Sequence, residues 1–208
     1  MTTLLTAREV VFERRFISIF GTLNLQVQSG EAIWITGING AGKTTLLKVL
    51  AGIYQPEQGA IDRADCCFVG HQPGLKSDLT AAENLRFDAA LRGHGKADWH
   101  SALTAFDGLY LATQTVAEMS AGQRRRVALA RLLLGPEPLW LLDEPYANLD
   151  DVGCRQVDEV LKDHLTHGGA VILASHGQAP CGLPTLKQLQ LPLQADSHAN
   201  EVDQAGAC

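Results

Sequence analysis

Long hydrophobic runs, paired-cysteine motifs and an excess of positive charge are all missing from this 208-residue chain. No stretch reaches the roughly 18 apolar residues that a helix needs to cross a bilayer. The nearest one, 127–142, is broken by Arg131, two prolines and Glu137. The opening residues, MTTLLTAREVVFERRF, carry charges where a signal peptide needs an uninterrupted apolar core. We therefore expect no membrane span and no secretory leader, so that any membrane contact comes through partner chains only.

The net charge and the cysteines further limit the classes of protein to which this chain can belong. The net charge of −6 gives no general attraction to nucleic acid, and we expect no nucleic-acid partner. The five cysteines are odd in number and form no C-x-x-C pair, which is typical of free thiols in a reducing compartment. A hydrophobic content of 46% with 19% charged residues is that of a globular protein, and the length suits one substantial domain.

A phosphate-binding loop of pattern G-x-x-x-x-G-K-[ST] runs from Gly37 to Thr44. The apolar run 32–36 predicts a buried strand before it, and 45–50 predicts a helix after it, which is the context that the motif requires. Lys43 is expected to neutralise the β- and γ-phosphates, and the Thr44 hydroxyl to hold Mg²⁺. Within the loop and the start of the helix, the residues expected at the nucleotide phosphates are Gly37, Asn39, Gly40, Ala41, Gly42, Lys43, Thr44 and Thr45.

A second motif, Asp143-Glu144, follows the apolar run Leu139–Leu142. The run predicts a buried strand, and the two carboxylates then emerge at its C-terminal end, where ligands of open α/β sheets bind. Asp143 suits a carboxylate that holds Mg²⁺, and Glu144 is placed to act as the general base on an attacking water. The alternative is a strand that ends by chance in two acids, which cap the next helix.

A third motif, Met119-Ser120-Ala121-Gly122-Gln123, places a serine and small residues at the start of a helix that we expect over 122–134. This arrangement is a second phosphate-binding surface. Since the chain already has its own loop for a triphosphate, the second surface is best explained if it reaches the γ-phosphate held by another copy.

With these motifs in this order, the chain resembles the nucleotide-binding subunit of an ABC transporter, from about residue 4 to residue 190. The resemblance implies ATP and Mg²⁺ as ligands, and a head-to-tail dimer in which Ser120 and Gly122 contact ATP on the partner copy. It also implies that Gln72 senses Mg²⁺ and water and couples the site to membrane partners. Asp150 would face the opposing subunit, and His176 would be the switch histidine at the γ-phosphate.

The resemblance also implies a fold. It is an α/β P-loop NTPase of the ABC type, with a mostly parallel core sheet, an antiparallel β-subdomain and a small helical subdomain. The short interval from Lys43 to Gln72 predicts that the β-subdomain is trimmed. We expect one ATPase domain over 1–193, with its core in 1–79 and 116–193 and the helical subdomain in 80–115. The polar stretch 194–208 is expected to be a flexible tail.

Three positions depart from the family pattern or leave alternatives open. Ala121 stands where the family more often has glycine, which is tolerable if that position only packs. The residue that stacks on adenine is Phe12, Arg14 or Phe16. The run Arg124-Arg125-Arg126 invites a nucleic-acid interpretation, but at a helix start we expect it to tune the shared site or to pair with acids across the interface.

Within the family, the run Gly70-His71-Gln72-Pro73-Gly74-Leu75-Lys76 resembles the ATP-binding subunits of haem exporters in bacterial cytochrome c maturation. That resemblance implies transmembrane partners that handle haem, a peripheral position on the cytoplasmic face of the inner membrane, and hydrolysis that drives release of a haem-loaded chaperone. The residues themselves show no haem ligand. The alternatives are an ABC transporter with another cargo and a soluble ABC ATPase that acts on nucleic acid.

Overall fold

The central sheet of the computed structural model is parallel over five strands. The structure describes residues 2–175, 179–183 and 185–192, and the backbone of 203–204. Ten strands are β1 (Thr3–Val11), β2 (Glu13–Arg14), β3 (Ile17–Ser18), β4 (Leu23–Gln28), β5 (Ala32–Thr36), β6 (Gln58–Arg63), β7 (Cys66–Val69), β8 (Leu139–Asp143), β9 (Ala170–Ala174) and β10 (Leu186–Gln190). A short strand β11 (Asp203–Gln204) pairs with β10. The order β11-β10-β5-β9-β8-β7, parallel from β10 to β7, confirms the predicted α/β sheet.

Five α-helices occur among the described residues, and they pack around the sheets. They are α1 (Lys43–Leu50), α2 (Ala81–Leu91), α3 (Trp99–Ala105), α4 (Ala121–Ala130) and α5 (Asp151–Thr166), with 3-10 turns at Leu109–Leu111, Val116–Glu118 and Arg131–Leu133. The helix expected over 122–134 therefore gives way to a 3-10 turn in its last residues. Among the helices that the structure describes, none is both long and apolar enough to cross a membrane.

The central sheet is buried on both faces, because alternate residues of its inner strands enter two separate cores. Leu139 and Leu141 of β8 pack with α1 and the antiparallel sheet. Trp140 and Leu142 of the same strand pack with α2, α4 and α5. Every residue of β8 and β9 is buried, as expected of central parallel strands. The strand ends that carry functional residues are thus held by packing on both sides.

The antiparallel sheet has the order β4-β1-β6, and its three strands match the small β-subdomain that the resemblance implied. A separate hairpin, β2–β3, projects from it. The two residues of the hairpin turn, Arg15 and Phe16, both have positive φ, of 55° and 63°. Helices α2 and α3 fall inside the stretch 80–115, where the helical subdomain was expected. The stretch 194–208 lies outside the described residues except for the backbone of 203–204.

Candidate functional site

The predicted phosphate loop connects β5 to α1 and contains three glycines with positive φ. Gly37 (141°), Gly40 (83°) and Gly42 (96°) adopt backbone conformations that other residues rarely take. A Cβ atom at Gly37 would lie 2.5 Å from the Leu191 carbonyl oxygen, and one at Gly42 would lie 2.7 Å from Ile19 Cγ2. The loop therefore packs closely against Leu191, which directly follows β10, and against Ile19, which directly follows β3. Asn39 at its tip is exposed, whereas Ala41 is buried.

Helix α1 starts without a side-chain cap, unlike the other four described α-helices. Thr80, Asp98, Ser120 and Asp150 each accept a hydrogen bond from the first turn of the helix that they precede. Gly42, which precedes α1, has no side chain to do so. The first N–H groups of α1 are thus left for another acceptor, and with the helix dipole they favour an anion.

Lys43 and Thr44 begin α1 and make the contacts that connect the loop to β8. Lys43 is 6% exposed, and its Nζ donates to the carbonyl oxygens of Gly37 at 2.6 Å and Ile38 at 3.1 Å. A phosphate oxygen would replace these neutral acceptors with a charged one, which makes a stronger hydrogen bond. Thr44 Oγ1 donates to Asp143 Oδ2 over 2.8 Å.

The Thr44–Asp143 contact fits a magnesium site. Asp143 is only 2% exposed at the C-terminal end of β8, and a hydroxyl with a carboxylate is a pair of hard oxygen donors. No cluster of three His, Cys, Asp or Glu residues suited to a metal occurs in the part of the chain that the structure describes. The Thr44 hydroxyl and the Asp143 carboxylate suit Mg²⁺, because this ion is commonly bound through one or two protein oxygens together with substrate phosphates and waters.

A cleft of about 470 Å³ covers this corner of the sheet. It brings together seven of the predicted site residues, which are Gly40, Gly42, Lys43, Thr44, Thr45, Asp143 and Glu144. Arg14, Ile19, His71 and Ala147 complete the wall. The predicted Gln72 is exposed beside the cleft, and its neighbour His71 is the residue that lines it.

Glu144 stands in a strained conformation. Its φ of 55° is left-handed, which is uncommon for a residue with a side chain and costs on the order of 1 kcal/mol. Its N–H donates to the Ala174 carbonyl at the end of β9 over 2.7 Å. Strain of this kind persists only where surrounding contacts enforce it, and it is concentrated at functional sites.

Ser120, Gly122 and Asp150 lie at the starts of helices α4 and α5. Ser120 caps α4 in a reciprocal capping box with Gln123, and a Cβ at Gly122 would lie 2.5 Å from the Asn148 carbonyl oxygen. Asp150 caps α5 and pairs with Arg126 at 3.1 Å. None of the three lines the cleft that contains Lys43. While its oxygen accepts the N–H of Gln123, the Ser120 hydroxyl can still donate to an outside oxygen.

The three adenine-stacking candidates differ in what they touch. Phe12 stacks on Tyr54, with ring centroids 5.6 Å apart, and packs against a buried cluster. Phe16 is 98% exposed at the hairpin turn. Arg14 lines the cleft. The structure therefore brings Arg14 to the cleft and engages Phe12 elsewhere.

The predicted switch residue His176 lies outside the described residues. The preceding residue, Ser175, is buried, and its Oγ accepts a hydrogen bond from Trp34 Nε1 at 2.9 Å. Since Asp143 pairs with Ala174 across the sheet, the end of β9 lies beside the carboxylates of β8.

Two members of the arginine run, Arg125 and Arg126, make their hydrogen bonds within their own chain. Arg126 donates to the carbonyl of Phe106 and the side chains of Gln156 and Asp150. Arg125 is 2% exposed and donates to backbone carbonyls at the base of the cleft. The sequence predicted that this run tunes the shared site or pairs with acids across the interface, but not which member is buried beside the cleft; that member is Arg125. The signal that marks it is helical spacing, because Arg125, Ala128, Leu129 and Leu132 form one buried stripe.

Comparison with protein families gives a match to the family described as ABC transporter, over residues 20–147. Several similar curated proteins carry the name cytochrome c biogenesis ATP-binding export protein CcmA. The one from Xanthomonas campestris pv. campestris (strain 8004) is 44% identical over 204 residues, covering 92% of this chain and 94% of the relative. The one from Bradyrhizobium diazoefficiens is 42% identical over 183 residues, covering 83% of this chain and 91% of the relative.

Solved structures show the same fold. An ATP-binding subunit of an ABC transporter superposes with a TM-score of 0.81 at 24% identity, covering 91% of this chain and 86% of that one. A dimeric ATP-binding cassette in a post-hydrolysis state, bound to ADP and Pi, gives a TM-score of 0.79 at 21% identity, covering 90% and 96%.

Proposed function

We propose that this chain, which belongs to the ABC transporter family, is the ATP-hydrolysing subunit of a bacterial membrane complex for cytochrome c biogenesis. The proposed ATPase activity rests on the cleft over the phosphate loop, which is lined by Lys43, Thr44, Asp143 and Glu144. The proposed role in cytochrome c biogenesis rests on the similarity to the CcmA relatives over nearly their whole length. ATP hydrolysis is the activity of the family, and it is the chemistry that these four side chains suit.

The site residues have the following proposed roles in hydrolysis. Backbone N–H groups of the loop and the uncapped start of α1 bind the phosphates, and Lys43 neutralises their charge. Thr44 and Asp143 would hold Mg²⁺, which would supply charge neutralisation between the phosphates. Glu144 takes a proton from water as the water oxygen attacks the γ-phosphorus and the bond to the β-phosphate oxygen breaks, giving ADP and phosphate. His176 and Gln72 are proposed to assist at the γ-phosphate.

Two copies are proposed to share each ATP. Ser120 and Gly122 lie outside the cleft of their own chain, at a helix start suited to an anion. In a head-to-tail dimer they would contact the ATP bound by the partner, with Asp150 facing the opposing subunit. The dimeric cassette among the similar structures supports this arrangement.

We infer a peripheral position on the cytoplasmic face of the inner membrane, with transmembrane subunits that handle haem as partners. Hydrolysis would then drive release of a haem-loaded chaperone. The name of the relatives supports an export complex of cytochrome c biogenesis. We also propose that residues 1–193 form one ATPase domain, with its helical subdomain in 80–115, and that 194–208 is a flexible tail.

The test is a pull-down of the tagged chain from native membranes in mild detergent, followed by mass spectrometry. An untagged strain is the control. We expect recovery of the membrane subunits of cytochrome c maturation, and the recovered complex should hydrolyse ATP. Recovery of a different permease would overturn the haem assignment while leaving the nucleotide site unchanged. Recovery of DNA-bound or ribosomal proteins would overturn the membrane role altogether.

A further inference from the structure

Arg125 is a buried cation whose partners are almost all backbone carbonyls. Its guanidinium donates to the carbonyl oxygens of Asp143 at 2.7 Å, Glu144 at 2.5 Å, Pro145 at 3.2 Å and Gly70 at 2.8 Å. Four neutral acceptors are an unusual environment for a residue that is only 2% exposed. Burial lowers the pKa of Arg125 to about 10, whereas the charges of Asp143 and Glu144 act in the opposite direction. The group therefore stays charged at neutral pH.

One nitrogen of this guanidinium contacts both peptide planes that flank Glu144. Nη2 donates to the Asp143 carbonyl, which belongs to the peptide before the Glu144 Cα, and to the Glu144 carbonyl, which belongs to the peptide after it. In an extended strand, consecutive carbonyls point in opposite directions. A single donor reaches both only where the intervening residue has a helical-type conformation. The left-handed φ of 55° at Glu144 is such a conformation.

A second contact holds the same peptide from the other side. The Glu144 N–H donates to the Ala174 carbonyl over 2.7 Å, so the peptide between Asp143 and Glu144 is bound at both its oxygen and its nitrogen. Arg125 and β9 together therefore supply the contacts that a strained conformation requires.

We infer that Arg125 is the positioning residue for the Glu144 carboxylate: its guanidinium fixes the backbone torsions of Glu144 and so places that side chain on the cleft wall. The inference rests on the proposed role of Glu144 as the base. Through Nη1, Arg125 also ties this backbone to Gly70, which immediately precedes His71 and Gln72. Helix α4 begins directly after Ser120, the serine proposed to contact the ATP of the partner copy. Through Arg125 this helix is connected to Glu144 of its own chain.

The experiment is a double-mutant cycle between Arg125 and Glu144 in the complex recovered from membranes. Arg125→Lys keeps the charge but cannot reach four carbonyls with a planar fork, and Arg125→Gln removes the charge. Single-turnover release of γ-phosphate, KM and the dissociation constant for ATP are measured for each variant, alone and combined with Glu144→Gln.

We expect Arg125→Lys to lower kcat by about 10- to 100-fold with KM and ATP affinity within about threefold, because a small displacement of a catalytic group is costly. In the Glu144→Gln background the same substitution should lower the residual rate by less than about threefold, since the residue that it positions has already lost its function. Arg92→Gln is the control, because Arg92 is a partly buried arginine that binds Asp88, Glu137 and the Arg131 carbonyl, none of which lines the cleft. Arg92 is more exposed than Arg125 and does not line the cleft, so its effect should be equal in both backgrounds.

Three results would overturn the inference. An equal loss from Arg125→Lys in both backgrounds would show that it does not act through Glu144. If KM for Arg125→Lys rose by the same factor by which kcat fell, Arg125 would have a role in binding ATP. Loss of ATP binding in both Arg125 variants would show that the guanidinium supports the fold as a whole. Unchanged turnover in Glu144→Gln alone would instead contradict the proposed base, which is a separate failure.

Discussion

Gly122 and Ala121 are neighbours at the start of α4 whose surroundings differ by one contact. A Cβ at Gly122 would lie 2.5 Å from the Asn148 carbonyl oxygen, whereas the Ala121 side chain is exposed. The methyl group at Ala121, which departs from the family pattern, is thus accommodated, and a methyl group one residue later is not.

We predict that Gly122→Ala destabilises the protein by about 1–3 kcal/mol and lowers ATPase activity, because the loop that carries Asn148 must move. Ala121→Gly is the control, and it should cost no more than about 1 kcal/mol from helix propensity while activity stays within about twofold. Denaturant unfolding and steady-state ATPase assays measure both effects. If Gly122→Ala were as stable and as active as the wild type, the close approach of Asn148 would not be a constraint.

At the residue scale, the sequence predicted several of the side chains that line the cleft, but not the neighbours that reach it from elsewhere in the chain. Short local motifs contain Lys43, Thr44, Asp143 and Glu144, and the structure brings these four residues together in the cleft. Arg14, Ile19 and His71 reach the same cleft from distant segments. No local pattern records that approach, because it depends on how the hairpin and the loop after β7 pack against the phosphate loop.

Helix α5 packs on strand β8 through a half-buried histidine. His164 of α5 stacks on Trp140 of β8, with ring centroids 3.6 Å apart, and its Nε2 lies 3.1 Å from the Pro138 carbonyl. Burial lowers the pKa of His164 to about 4, partly offset by hydrogen bonds at Pro138 and Ala170 and by the charge of Asp163. The folded state thus favours the neutral imidazole.

We predict that stability falls as the pH is lowered from about 6.5 towards 4, because in that window the unfolded chain binds a proton at this position and the folded chain does not. After allowance for solvent screening, the loss between pH 7 and pH 5 should be about 1 kcal/mol. His164→Phe keeps a ring against Trp140 and should remove this part of the pH dependence. His167→Gln, which changes an exposed neighbour, should retain it. Urea unfolding at several pH values makes the comparison, and equal slopes for wild type and His164→Phe would contradict it.

Elements with strong local patterns were predicted, and those defined by distant partners were missed. Strands β5 and β8 match their apolar runs. Strand β10 has the mixed sequence LKQLQ and forms because β5, far away in the chain, pairs with it. The β2–β3 hairpin has no glycine or asparagine in its turn, so it carries no turn signal. Helix α5 was missed although Cys154, Val157, Leu161 and Leu165 have helical spacing.

At the scale of the whole molecule, the residues proposed to bind ATP lie in two places, the cleft and a separate capped helix start. Sequence motifs predicted both groups of residues, but their separation depends on the relative placement of α1 and α4 around the sheet. The proposal that each ATP lies between two copies follows from that placement.

We predict that Ser120→Arg lowers the rate of ATP hydrolysis by at least about 100-fold. A single chain should still bind ATP with a dissociation constant within about threefold of the wild-type value, because the lost contacts are those to the nucleotide of the partner copy. In the Glu144→Gln background, ATP should produce a dimer by light scattering, and Ser120→Arg should prevent it. Thr80→Arg removes an equivalent capping box at α2, costs a similar amount of about 1 kcal/mol, and should leave ATP-dependent dimerisation intact. Dimerisation that survived Ser120→Arg would contradict the shared site.

The hydrogen bond from Trp34 to Ser175 gives this protein an internal optical probe. Trp34 is one of only three tryptophans, and its indole N–H is bonded to the residue directly before His176. Indole emission shifts in wavelength when the polarity around the ring or its hydrogen bonding changes. A chain that keeps Trp34 and carries phenylalanine at the other two tryptophans would therefore report, by fluorescence alone, any displacement of the end of β9 during nucleotide turnover.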